Sequence, residues 1–178
     1  MPEDISMPCT PVSVAALSAL EREAFVAALD GIFEHSPWVA DAAWSARPFA
    51  DRNDLLDALV TAMRSAPEAL QLALIRAHPE LAGRAAVRGE LTVESRGEQA
   101  GAGLDTCSAE EFERLQQLNT RYIAKFGFPF ILAVRGYDRA GIIERFAARL
   151  GNTPEAEFDE ALTQIARIAA LRLADRVI

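Results

Sequence analysis

His78 stands directly before Pro79, and Ser95, Glu98 and Gln99 follow in the segment L-T-V-E-S-R-G-E-Q-A-G-A-G-L-D at 91–105. An imidazole, a carboxylate, a hydroxyl and an amide are groups that move protons and grip small polar molecules. Gly and Pro crowd both stretches, an inefficient way to build a core but a good way to bring backbone against a ligand. Ser95, Glu98 and Gln99 are spaced i, i+3 and i+4, so on a helix they project from one face. The same S-x-x-E spacing is also a capping box with Ser95 as the cap. Thr92 competes for that role, and spacing alone leaves both readings open. Gly97, Gly101 and Gly103 each cost a helix interior about 1 kcal/mol relative to Ala. A helix this permissive is expected to have something pressed against it, a ligand or another helix.

The elements that position these groups follow from local signals. Pro79 disfavours helical geometry at His78 and cannot continue the ladder, so His78 is predicted at a helix C-terminus. The dipole there favours a protonated imidazole, a bias suited to a proton donor. A lone histidine at such a place is equally well a cap or a satisfied surface group, and His35, in E-H-S-P-W, reads as structural. F-G-F-P-F at 126–130 reads as a buried turn packing three phenylalanines. The amides of Ile131, Leu132, Ala133 and Val134 follow that proline-fixed turn and could receive carbonyl or carboxylate oxygens. Arg172 lies among apolar neighbours, so it is either paired with an internal carboxylate or an anion receptor.

Periodicity and caps predict about eight helices in a single all-α bundle over residues 13–178, after an extended, proline-bearing arm at 1–12. They run at about 14–30, with Ser13 as cap, 37–44, 53–65, 67–77, 92–104, 108–126, 140–150 and 155–175; residues 84–90 are ambiguous. With hydrophobic residues at 51%, a 178-residue chain can bury a core without disulfides or metals. The net charge of −8 and a single lysine, Lys125, argue against nucleic acid. No apolar run is long enough to span a membrane. No signal peptide or peroxisomal tail is expected from M-P-E-D-I-S at the start and A-D-R-V-I at the finish. Two cysteines and two histidines, without ligand spacing, predict no metal site and a reduced, cytoplasmic protein. Phosphate loops, dinucleotide fingerprints and nucleophile elbows are missing, so an enzyme built this way works without an evident cofactor.

Five motifs in order resemble the 2-oxo-4-hydroxy-4-carboxy-5-ureidoimidazoline (OHCU) decarboxylases of urate breakdown. They are F-E-H-S-P-W-V-A at 33–40, H-P-E-L-A-G at 78–83, the 91–105 segment, L-N-T-R-Y-I-A-K-F-G-F-P-F-I-L-A-V-R-G at 118–136, and I-A-R-I-A-A-L-R-L at 165–173. The resemblance implies an all-α, cofactor-independent and commonly dimeric enzyme that converts OHCU, a small molecule, to (S)-allantoin and carbon dioxide. It implies that His78 is the catalytic proton donor and Glu98 the catalytic carboxylate. Pro79, the segment Ser95, Arg96, Gly97, Glu98 and Gln99, and the backbone of Phe130, Ile131, Leu132, Ala133 and Val134 match substrate-contacting positions. Arg172 matches an active-site arginine, and could anchor the departing carboxylate. The reading from another class is a non-catalytic all-α ureide-binding or dimerisation module. A different ureide lyase or hydrolase would need an activated water, for which the sequence offers no metal or nucleophile.

Overall fold

Helices occupy the chain wherever a cap precedes an apolar period. The computed structural model describes residues 11–178 and contains ten α-helices and no strand among them. They are α1 Val14–Ser18, α2 Arg22–Ala28, α3 Trp38–Ala43, α4 Arg52–Ser65, α5 Glu68–Ala77, α6 Arg84–Arg88, α7 Val93–Gly101, α8 Ala109–Phe126, α9 Arg139–Arg149 and α10 Pro154–Arg176. Short 3₁₀ turns follow α3 and α7. Ser13, Asp51, Thr92, Ser108, Asp138 and Thr153 each accept a backbone N–H in the first turn of their helix. Ser108 and Glu111 complete a reciprocal capping box on α8.

The expected first helix is in fact two. The loop at 44–49 claims the groups a continuous helix would use: Arg47 Nη1 donates to the carbonyls of Ser18 and Leu20, and Trp44 Nε1 to Leu20. The Phe49 amide donates to Ser18 Oγ. The ambiguous stretch after Gly83 forms the single turn α6, closed by Gly89 in the left-handed region. These two differences raise the number of helices from eight to ten.

The long helix α10 is the axis of the bundle, packed against α4, α5 and α8. Its buried residues, from Glu157 through Ile165, Ile168 and Ala169 to Leu173, cover too much of its circumference for a surface helix. Leu55, Leu59 and Met63 of α4, Leu74 and Ile75 of α5, and Leu115, Leu118 and Tyr122 of α8 fill the space around it. Phe128 and Phe130 are buried, as the F-G-F-P-F turn predicted, with Phe126 half-buried. Phe130 stacks on Phe146 of α9, ring centroids 3.9 Å apart. Of the expected N-terminal arm, residues 1–10 lie outside the described residues. Val12 exchanges backbone hydrogen bonds with Arg176 and Ile178, so the chain enters the fold beside its own C-terminus. Among the described residues no helix is long and apolar enough to cross a membrane.

Candidate active site

Four separate segments meet around one small cavity: the end of α5, one face of α7, the non-helical stretch 130–134, and the inner face of α10. His78, Pro79, Ser95, Glu98, Gln99, Phe130, Ile131, Leu132, Val134 and Arg172 all line it, with Leu81 and Ile168. The free space is about 30 Å³, room for a water or two. Glu98 and Arg172 also border an adjoining groove of about 290 Å³.

His78 ends α5 as predicted, in extended geometry with φ −73° and ψ 138°. Its Nδ1 lies 3.0 Å from the Leu74 carbonyl, which can only accept, so Nδ1 carries the hydrogen and Nε2 is the basic nitrogen. The expected bias towards protonation is overturned. Burial dominates and pushes the imidazole down to about 4, despite the Leu74 carbonyl and the charge of Glu34, which pull the other way. The helix dipole is worth less than the lost hydration of a buried cation. His78 is therefore neutral near pH 7.

Thr92, not Ser95, caps α7: its Oγ1 accepts the Ser95 amide at 3.3 Å. That frees the Ser95 side chain, which donates to Glu34, a carboxylate only 2% exposed. Thr92 Oγ1 also donates to Glu34 at 2.8 Å. Burial works against the Glu34 carboxylate. The Thr92 hydroxyl and the Arg172 charge more than offset it and hold its pKa below the usual range. Sequence reasoning missed Glu34, although F-E-H-S-P-W contains it. A glutamate directly after the apolar pair Ile32-Phe33 was the available signal.

Arg172 resolves the choice left by the sequence. Its Nε and Nη2 grip both oxygens of Glu98 at 2.7 and 2.9 Å, and Nη1 reaches Glu34 at 3.0 Å. Nη1 also donates to the Gly31 carbonyl and Nη2 to Ser95 Oγ. Every N–H of the guanidinium is thus committed inside the protein. In this arrangement the arginine holds two carboxylates, and all of its donors are spent within the protein. Burial opposes its charge, but the hydrogen bonds and charges of Glu98 and Glu34 raise its pKa above the ordinary value. Gly31 is itself shaped for this contact. Its φ of +81° is left-handed, and an added Cβ would sit 2.7 Å from a Glu94 carboxylate oxygen.

Gln99 lines the cavity, yet both ends of its amide serve the loop after His78. Oε1 accepts the Ala82 amide at 2.9 Å, and Nε2 donates to the Glu80 carbonyl. Gln116 and Asn119 of α8 hold the next carbonyls, those of Ala82 and Leu81. Three expected site residues face elsewhere. Arg96 donates to the Gly89 and Leu91 carbonyls. Gly97 opens onto an adjoining groove that shares Glu98 and Arg172 with the cavity, where an added Cβ would meet no atom within 4 Å. Gly101 is equally open on the same groove, so no neighbouring helix packs against either glycine. Ala133 gives its amide to Gln164 Oε1 at 3.0 Å. His35 is exposed and outside the cavity.

The profile of the OHCU decarboxylase family matches residues 18–174. A 2-oxo-4-hydroxy-4-carboxy-5-ureidoimidazoline decarboxylase from Amia calva is 42% identical over 159 residues, 89% of this chain and 91% of that one. Its counterpart in Haloferax volcanii is 39% identical over 165 residues, 93% and 96% of the two chains. Among solved structures, (S)-allantoin synthase superimposes with a TM-score of 0.75 at 29% identity, over 94% of this chain. The chain spans about half of that longer protein, 54%. With the family match over most of its length and relatives of about 40% identity, this chain belongs to the OHCU decarboxylase family.

Proposed function

We propose that this protein decarboxylates OHCU to (S)-allantoin and carbon dioxide in urate degradation, with no added cofactor. The observation that carries the reading is His78: buried, neutral, its Nδ1–H committed to the Leu74 carbonyl, and lining a cavity shared with Glu98. In the reaction the bond from the ring carbon to the carboxylate breaks and its electron pair moves into the ring, where the substrate's own imine nitrogen accepts it and takes up a proton from solvent. That internal sink is why neither pyridoxal nor thiamine chemistry is called for. The resulting enol must lose its hydroxyl proton and gain a proton at the neighbouring carbon. A neutral imidazole suits both steps: Nε2 takes the hydroxyl proton and then returns it to one face of the ring, which sets the S configuration.

Glu98, oriented by Arg172, is the acceptor for the substrate's hydroxyl or ureide N–H groups. The amides of Leu132 and Val134 complement the ureide carbonyls, and the Ser95 oxygen, its hydrogen spent on Glu34, keeps a lone pair for a ureide N–H. Arg172 acts through Glu98 and Glu34 and is a positioning residue. The apolar wall formed by Leu81, Ile131, Leu132, Val134 and Ile168 solvates a carboxylate poorly, which favours its departure as neutral carbon dioxide.

The test is circular dichroism of allantoin formed from freshly generated OHCU. Rapid appearance of the S enantiomer, lost in folded His78→Ala, is the expected result. Racemic product at the spontaneous rate, with thermal stabilisation by allantoin, would instead identify a non-catalytic ureide-binding module.

The reading extends to a homodimer in the cytoplasm. An apolar groove of about 620 Å³, lined by Val87, Leu91, Leu104 and Phe112, supports a second copy as its cover, with Val87 71% exposed. Sedimentation as a monomer at micromolar concentration would refute that part. The cytoplasm is a compartment in which a thiol such as Cys107 stays reduced.

A further inference from the structure

The stretch 130–134 contributes four residues to the cavity wall, yet it belongs to no helix and no sheet. Something else must hold its backbone. Arg149, at the end of α9, donates from Nη1 to the Ile131 carbonyl at 2.7 Å. Its guanidinium also lies 4.4 Å from the Phe130 ring centroid. Gln164, on one face of α10, accepts the Ala133 amide at 3.0 Å and is held in turn by Glu160. Arg149 is fixed by Glu157, with Nε to Oε1 at 2.7 Å. Glu157 is fully buried and further held by the Tyr122 hydroxyl and by Asn152 Nδ2.

This is a costly arrangement. A buried guanidinium–carboxylate pair adds little net stability over apolar packing of the same volume. What it does supply is geometry. The Ile131 carbonyl and the Ala133 amide flank Leu132, and both are drawn to the α9–α10 side. The carbonyl and the amide of one trans peptide point in opposite directions. Holding the Ile131 carbonyl on Arg149 therefore turns the Leu132 amide away from α9, and holding the Ala133 amide on Gln164 fixes the backbone that leads to Val134.

We propose that Arg149, supported by Glu157, and Gln164 are positioning residues for substrate binding: they form a two-point clamp that aims the Leu132 and Val134 amides into the active site. The inference rests on the decarboxylase reading for its kinetic consequence, but not for its structural one.

The test uses Gln164→Leu, which removes the acceptor while keeping side-chain bulk, and the swap Glu160→Gln with Gln164→Glu, which restores an acceptor and reverses the supporting hydrogen bond. Amide exchange by NMR reads the clamp itself. Steady-state kinetics with OHCU read its use. In Gln164→Leu the Ala133 amide should exchange about tenfold faster and KM should rise about tenfold, roughly what one hydrogen bond is worth. The pH dependence of kcat, which reports His78, should not move, and the swap should restore both exchange and KM. Arg149→Lys, which keeps charge beside Glu157 but loses the fork, carries the same test if Gln164→Leu does not fold. Faster exchange with unaltered KM would overturn the proposal, as would unchanged exchange. A wild-type protein without turnover would refute the decarboxylase reading and leave the exchange result to judge the clamp.

Discussion

Replacing His78 by asparagine should flatten the acid limb of the protein's stability curve. Asparagine places an amide N–H where Nδ1–H now meets the Leu74 carbonyl, so that contact survives while the titratable ring is lost. In the folded wild type, burial lowers the imidazole from 6.5 to about 4. Between those two values the unfolded chain binds one proton more than the folded chain, so stability must fall as pH falls through this window. The full displacement corresponds to about 3 kcal/mol, an order-of-magnitude figure, and the slope within the window to about 1.4 kcal/mol per pH unit. Groups that do not face the ring are shared by both proteins and cancel in the difference; Glu34, whose carboxylate the His78 charge helps to hold in its ionised form, is an exception. The assay is urea unfolding of wild type and His78→Asn in parallel from about pH 7.5 to about 4.5. The wild type should lose about 2–3 kcal/mol more than the variant over that range. Activity of the wild type should stay level through pH 6.5 and decline only as pH nears about 4, because the neutral ring is the working form. Parallel stability curves, or an activity limb centred near the ordinary histidine value, would refute the claim that burial holds His78 neutral.

Three further outcomes follow from the same cluster. Arg172→Lys should lower kcat by about a hundredfold, since an ammonium cannot span Glu98, Glu34 and the Gly31 carbonyl together; unchanged kinetics would show that the guanidinium fork is dispensable. Glu34→Gln should destabilise the fold by about 2–3 kcal/mol, read as a lower urea midpoint, because it removes one of two counter-charges from a buried guanidinium. Gly31→Ala should cost about 1–2 kcal/mol from its left-handed backbone. The Glu94 carboxylate beside it ends a flexible, partly exposed side chain that can swing aside, so adding Glu94→Ser should recover little of that cost by thermal melting.

Much of the architecture was legible because it is local. The caps at Ser13, Thr92 and Ser108, the stop at Pro79 and the apolar periods are each decided within a few residues, and they lie where the sequence placed them. The break between α1 and α2 was not legible, since the groups that cause it come from Trp44, Arg47 and Phe49. The short turn α6 has too few residues to show a period.

By itself the sequence determined the all-α class, the family, and most of the residues that line the cavity, though not Glu34, because residue type and short-range spacing carry that information. Only the tertiary structure decided what each of those residues does. Ser95 turned out to bond Glu34 rather than cap a helix, Gln99 to hold the loop after His78, and Arg172 to spend all its donors on the protein. The charge of His78 was decided the same way. A helix dipole can be read from one segment, but burial is the joint work of every segment packed around the ring, and here the loss of water outweighs the dipole.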